Sequence, residues 1–168
     1  MNEGAITLGL DPGLATTGYG VVQAVPNGWK VIAGGVIKTV EGTPRAQRLL
    51  EIYEETRGLI EAYHPDGVAI EEVYLAKNAR TAMLTAETRG ALLMATVGNP
   101  VRGYTPLQVK KRITGYGKAT KGQVQAMVKQ LLHLSELPRP DDVADGIALA
   151  LCYFLDLQGV STKDHVYL

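Results

Sequence analysis

At 168 residues and 46% hydrophobic content the chain has the size of one globular domain around a single core, and its lone cysteine, Cys152, excludes an internal disulfide or a cysteine-based zinc cluster. No apolar run approaches the roughly 18 residues of a membrane span, and the opening MNEGAITLG lacks a secretory leader, so a cytoplasmic protein with no membrane partner is expected. Net charge is zero but segregated: the interval between Glu87 and Glu136 holds no acid and eight basic residues, from Arg89 through Lys110, Lys111, Arg112, Lys118 and Lys121 to Lys129, against nine basic and seventeen acidic residues elsewhere.

Such regional positive charge points to nucleic acid, because Lys and Arg that neutralise phosphates release condensed counterions. A solvated helix face with its acids elsewhere in space accounts for the same pattern. In chain order, three β-runs come first: Ile6 to Leu10, Tyr19 to Ala24 and Trp29 to Lys38, joined by short turns as an antiparallel meander. A helix follows, with Thr43 as N-cap, Pro44 at its first position and an end near His64-Pro65. GVAIEEVYL is a fourth strand, buried on both faces up to Ile70 and then abruptly acidic. A second long helix runs from Asn78, its cap, to about Val97, stopped by Gly98-Asn99-Pro100. VRGYTP is a short fifth strand, Pro106 opens a helix through Ile113, and Thr120 with Gln123 makes a capping-box pattern for a helix to about Leu132. RPDDVADGIALALCYFLDLQ reads as a terminal helix docked on the sheet, with Cys152 as a core residue and a short flexible tail from about residue 159. Alternation after the third strand implies parallel crossovers, hence an α/β fold with a mixed five-stranded sheet flanked by helices.

Asp11 ends the first strand and Glu71 ends the apolar run of the fourth, so adjacent strands would bring the two together. Asp142 and Asp145, three apart, share one helical face, while Asp141 reads as a helix cap. Four carboxylates in one place repel one another unless cations neutralise them, and an all-oxygen donor set favours Mg²⁺ or Mn²⁺ over zinc. Each acid also has a plainer reading: Asp11 as a turn residue before Pro12-Gly13, and residues 141 to 145 as an acidic first turn complementing the helix dipole.

GLDPGLATTGYGVV, IEEVYLAKNARTAMLTAETRGALL, YTPLQVKKRITGYGKATKGQVQAMV and DDVADGIALAL occur in an order and spacing that resemble the RuvC family of Holliday-junction resolvases. The resemblance covers most of the chain, with the AKN segment and the PLQVK and QVQ-M elements as its most specific parts. It implies a ribonuclease H-like fold in one domain spanning 1–168, a homodimer, docking with the branch-migration complex of the same pathway, and cutting of four-way DNA junctions with Mg²⁺ or Mn²⁺. Carried over by position, Asp11, Glu71, Asp142 and Asp145 are the catalytic, metal-binding acids. Two cations per site would activate water and neutralise the departing 3′-oxygen, leaving a 5′-phosphate. Lys110 and Lys121 match family lysines that contact phosphate, Tyr74 matches an aromatic that stacks at the opened junction centre, and Lys118, Lys111 and Arg112 are further DNA-binding candidates. The second long helix, with Ala79, Ala82, Ala86, Ala91, Ala95, Leu84, Leu92 and Met94, is the candidate dimer interface, although packing on the chain's own sheet explains the same residues. Rival functions at this point are a ribonuclease H-like nuclease acting on RNA and a non-catalytic junction-binding module. An ATPase of related fold needs a duplicated domain, for which the chain is too short.

Overall fold

The computed structural model describes residues 3–73, 79–136 and 138–158. Five strands and five helices follow one another as β1 (Ile6–Asp11), β2 (Thr16–Val25), β3 (Gly28–Lys38), α1 (Arg45–Tyr63), β4 (Gly67–Glu71), α2 (Ala79–Ala95), β5 (Val101–Tyr104), α3 (Pro106–Thr114), α4 (Lys121–Leu131) and α5 (Asp141–Leu157). The mixed sheet expected from the element order forms, with strands in the order β3-β2-β1-β4-β5. β1 and β2 pair antiparallel, as do β2 and β3, whereas β1–β4 and β4–β5 are parallel. β1 is therefore central, and its end lies beside the end of β4, where Leu10 pairs with Ile70.

Strand side chains alternate between faces, and the two faces here carry different cores. Leu8, Leu10, Val21, Val68 and Ile70 pack on one side with Ile52 and Ile60 of α1 and Leu92 of α2. On the other, Val22, Ala24 and Ala69 meet α3, α4 and the wholly apolar run of α5 through Phe154, with Cys152 buried as expected. The α5 side of β1 and β2 is floored by glycine. A Cβ on Gly20 would collide with Ile147, and one on Gly18 with the Asp142 backbone. The sheet lacks side chains there so that the helix can lie almost on the strands.

Helix starts depend on more than the presence of threonine. Thr120 and Gln123 form the expected capping box, and Thr105 with Gln108 forms a second that sequence reading missed. Thr43 does not cap α1: Pro44 is the N-cap residue, with no side-chain cap bond. Asp141 likewise does not cap α5, whose N-cap residue is Pro140. The dimer-helix expectation changes as well. Ala82, Leu92 and Ala95 face the chain's own core, while Met83, Met94 and Val97 stand 63%, 68% and 76% exposed on the opposite side. Asn78 and Tyr74, and the tail from residue 159, lie outside the described residues.

Candidate active site

Register explains how two strands aim carboxylates at one helix. Asp11 has the same parity as Gly9, and Glu71 the same parity as Ala69, so both carboxylates leave the sheet on the α5 side. Asp11 pairs across β1–β2 with Gly18, the glycine on which the first turn of α5 rests. The packing that seats α5 thus delivers Asp142 and Asp145 to the sheet end that carries Asp11 and Glu71. Glu72, of opposite parity, turns to the other side and pairs with Arg89 of α2 at 3.0 Å.

All four expected acids come together here. The Asp11 and Glu71 carboxyls are electrostatically coupled, so that a proton held by one can be shared with the other, and Asp11 also feels the charges of Asp145 and Asp142. Burial, then the neighbouring acids, push Asp11 up to about 6. The same causes, burial first and Asp11 next, push Glu71 up to about 8. Asp145 is also raised by burial, with Lys121 pulling against that effect. Lys121, the first residue of α4, places Nζ 2.8 Å from Asp145 and 3.5 Å from Asp141. Burial works against its charge, but the hydrogen bond to Asp145 and the charges of Asp145 and Asp141 prevail and hold its pKa above the usual lysine value. Asp141 is thus an ion-pair partner at the rim.

Among the described residues no three of these side chains are preset around a single ion. Asp11 and Glu71 face each other and Asp145 faces Lys121, so a proton on the strand pair and the Lys121 ammonium offset only part of the negative charge gathered here. The donor set nonetheless suits a hard divalent cation: it is entirely oxygen, partly buried, and electrostatically expensive to ionise without one.

Several supports of the site were not visible in the sequence. The turn after Asp11 is tied down at the Leu14 carbonyl, which accepts from Thr39 Oγ1 and from Arg48, while Arg48 Nε also donates to Thr39 at 2.7 Å. Thr17 Oγ1 closes the same turn on the Gly13 carbonyl at 2.9 Å. Of the basic candidates, Lys111 and Lys118 are exposed and Lys110 is half-buried. Arg112 differs from them: its side chain is only 13% exposed and its Nε lies 2.8 Å from Asp156, which also accepts from the Tyr104 hydroxyl at 2.7 Å. Arg112 therefore anchors α3 to α5, and its sequence reading as a surface DNA contact does not match this placement. The only preview of that cluster in the sequence was a lone acid late in an apolar helix.

Comparison with known proteins gives a consistent picture. The family model for "Crossover junction endodeoxyribonuclease RuvC" matches residues 7–153. A protein of that name from Caldicellulosiruptor saccharolyticus is 48% identical over 157 residues, covering 91% of this chain and 94% of its own length. Another from Desulforamulus reducens is 48% identical over 150 residues, covering 88% and 92%. Among solved structures, Thermus thermophilus RuvC in complex with Holliday junction substrate superposes with a TM-score of 0.87 at 32% identity, over 92% of this chain and 95% of that one. The yeast mitochondrial Holliday junction resolvase shares the fold at a TM-score of 0.67 and 13% identity, over 92% of this chain and 80% of that one.

Proposed function

The chain belongs to the RuvC family of crossover junction endodeoxyribonucleases, with its ribonuclease H-like fold, and from that membership we propose that Asp11, Glu71, Asp142 and Asp145 are the catalytic acids with which it resolves Holliday junctions. The observation that carries the assignment is the convergence of four carboxylates from β1, β4 and α5 on one sheet end, with Asp11 and Glu71 raised to about 6 and 8. The family implies divalent metal dependence. We assign two Mg²⁺ or Mn²⁺ ions to these four residues, which when bound supply the activation of water and the charge neutralisation that phosphodiester hydrolysis needs.

The chain's own residues prepare that chemistry. Asp11 and Glu71 release their shared proton as the site loads, so that both become acceptors. Lys121 screens Asp145 and Asp141 before substrate arrives and presents an ammonium to an incoming phosphate. Lys110, Lys111 and Lys118, in the acid-free interval, draw the phosphodiester backbone to the same edge, supplying affinity without sequence choice. Arg112 acts through α3, holding Lys110 and Lys111 in place by its bond to Asp156. Tyr74, three residues past Glu71, offers a ring for an unpaired base at the junction centre.

Two symmetric cuts require two sites, and a C₂ pair presents them. Met83 and Met94 on α2, with Val97 in the turn just after it, form the exposed apolar stripe that a second copy would cover. The branch-migration complex is a further partner that the family implies, in the cytoplasm. The test is cleavage of a mobile four-way junction beside linear duplex and an RNA–DNA hybrid, with Mg²⁺, Mn²⁺ or EDTA. Paired nicks in the junction alone, lost in EDTA and in Asp11→Asn while junction binding persists, are expected. Preferential cutting of the hybrid would move the protein to RNA-directed chemistry, and loss of binding together with cutting in Asp11→Asn would remove Asp11 from the metal site.

A further inference from the structure

The sequence sets two glutamates side by side at the end of β4, and the acid cluster uses the first of them, Glu71. Glu72 faces the other side of the sheet, where it is held from three directions. Its backbone N–H donates to the Tyr104 carbonyl of β5 at 2.8 Å. Its carboxylate lies over Gly103, where a Cβ would collide with Glu72 Oε1, so the glycine leaves a slot for it. The same Oε1 accepts from Arg89 of α2 at 3.0 Å, the arginine side chain being 13% exposed and the glutamate 30%. Arg89 rides on a helix seated by its neighbours Thr88 and Leu92, both fully buried.

An ion pair so enclosed is a poor source of stability, because taking both charges out of water offsets most of their attraction. Here the return is smaller still: Arg89 meets the carboxylate through one nitrogen, and its buried Nε has no hydrogen-bond partner among the described residues. What the pair supplies is direction. The pairing of β1 with β4 ends at Leu10 and Ile70, and beyond it Glu71 is paired across to Tyr104 of β5. Burial and the Asp11 charge both oppose an ionised Glu71 in this position, and a strand end held along one edge can relieve that cost by twisting outward. Successive side chains of a strand point to opposite faces. Glu71 therefore cannot turn away from Asp11 unless Glu72 leaves its slot over Gly103.

We propose that Arg89 is a positioning residue: by holding Glu72 in the Gly103 slot it fixes the end of β4 so that Glu71 presents its carboxylate to the cations. The inference rests on the assignment of Glu71 as a metal ligand and adds to it the device on the far side of the sheet that aims it. Its test is Mn²⁺ binding to the full chain without DNA, read from the resonance signal of the free ion, for wild type, Arg89→Met, Glu72→Ala, Glu72→Gln and Asp11→Asn. Arg89→Met and Glu72→Ala are expected to weaken Mn²⁺ binding by roughly 10-fold or more, the usual cost of losing a group that orients a metal ligand. Glu72→Gln, which still fills the slot and still offers Arg89 an oxygen, is expected to bind close to wild type. Wild-type Mn²⁺ affinity in Glu72→Ala, whatever its melting temperature, would overturn the proposal and leave the pair as a tie between α2 and the sheet. Binding in Glu72→Gln as weak as in Glu72→Ala would overturn it as well, by showing that charge and not position is at work. A wild type that binds no Mn²⁺, or an Asp11→Asn that binds it equally well, would instead sink the metal-site assignment and this proposal with it.

Discussion

In the metal-free protein, Glu71→Gln should abolish most of the loss of stability that the wild type suffers as pH rises. Glu71 is raised from 4.5 to about 8 and Asp11 from 3.8 to about 6, both primarily by burial. A carboxyl raised on folding contributes stability that is fully present below its unfolded value and lost as pH climbs through its folded one. The window therefore opens near pH 4.5 for Glu71 and closes above about pH 8. At about 1.4 kcal/mol per unit, ionising Glu71 beside Asp11 costs on the order of 5 kcal/mol across that window. For a chain of this length roughly 2 to 4 °C accompanies each kcal/mol, so the wild type in EDTA should lose on the order of 10 °C more than Glu71→Gln between pH 5 and pH 9. Thermal melts of both proteins in EDTA measure this difference, with the titrations of groups not coupled to Glu71 cancelling between them. Mg²⁺ should return much of the loss to the wild type at high pH, because a ligand that binds only the folded state stabilises it. Melting curves that run parallel in EDTA over the whole range would refute the claim that Glu71 and Asp11 share a buried proton.

Gly18→Ala places a methyl group against the Asp142 backbone; overpacking of this kind costs about 1 to 3 kcal/mol, and the displaced helix start should slow cutting on the order of 100-fold with junction binding retained in a gel shift. Asp156→Ala removes the carboxylate that Arg112 Nε contacts at 2.8 Å and that accepts from the Tyr104 hydroxyl; breaking a buried pair costs about 3 to 5 kcal/mol, read as a lower melting temperature together with weaker junction binding through the loosened α3. Met94→Asp, at a side chain 68% exposed, should leave the fold intact and shift sedimentation toward the monomer, with single nicks replacing paired ones; a variant that still sediments and cuts as a dimer would take α2 out of the interface.

The sheet and the nearness of the four acids were legible from local rules, namely period-two strands, a turn after Asp11, an apolar strand turning acidic at Glu71 and an i, i+3 pair on a helix, whereas spacing alone left plainer turn and helix-dipole roles open and the family resemblance favoured a shared site. What stayed hidden depended on partners far away in sequence. Nothing near Arg112 announces Asp156, and nothing near Glu72 announces Arg89, since side-chain pairing across elements is settled only by packing. The alanines of α2 suit a close helix contact on either side, and the position of α1 and the sheet decided that Ala82, Leu92 and Ala95 face inward. The cap at Thr43 shows a finer limit. Thr105 and Thr120 each have glutamine three residues on to return the bond, whereas Thr43 has Ala46, which has no group to reciprocate. The same Thr-Pro pair therefore starts α3 on threonine and α1 on proline.

Seating of α5 and chemistry are a single constraint in this molecule. Gly9, Gly18 and Gly20 leave room for the helix on one side of β1 and β2. Asp11 belongs to that side because it lies two residues past Gly9, and Glu71 because it lies two past Ala69. A one-residue slip of β1 against its neighbours would turn Asp11 away from α5 and at the same moment bring Leu8 and Leu10 against the helix where glycine is needed. Core packing therefore enforces the register that the acids require, and the carboxylates can remain buried and mutually repelling without the fold escaping to a register that separates them.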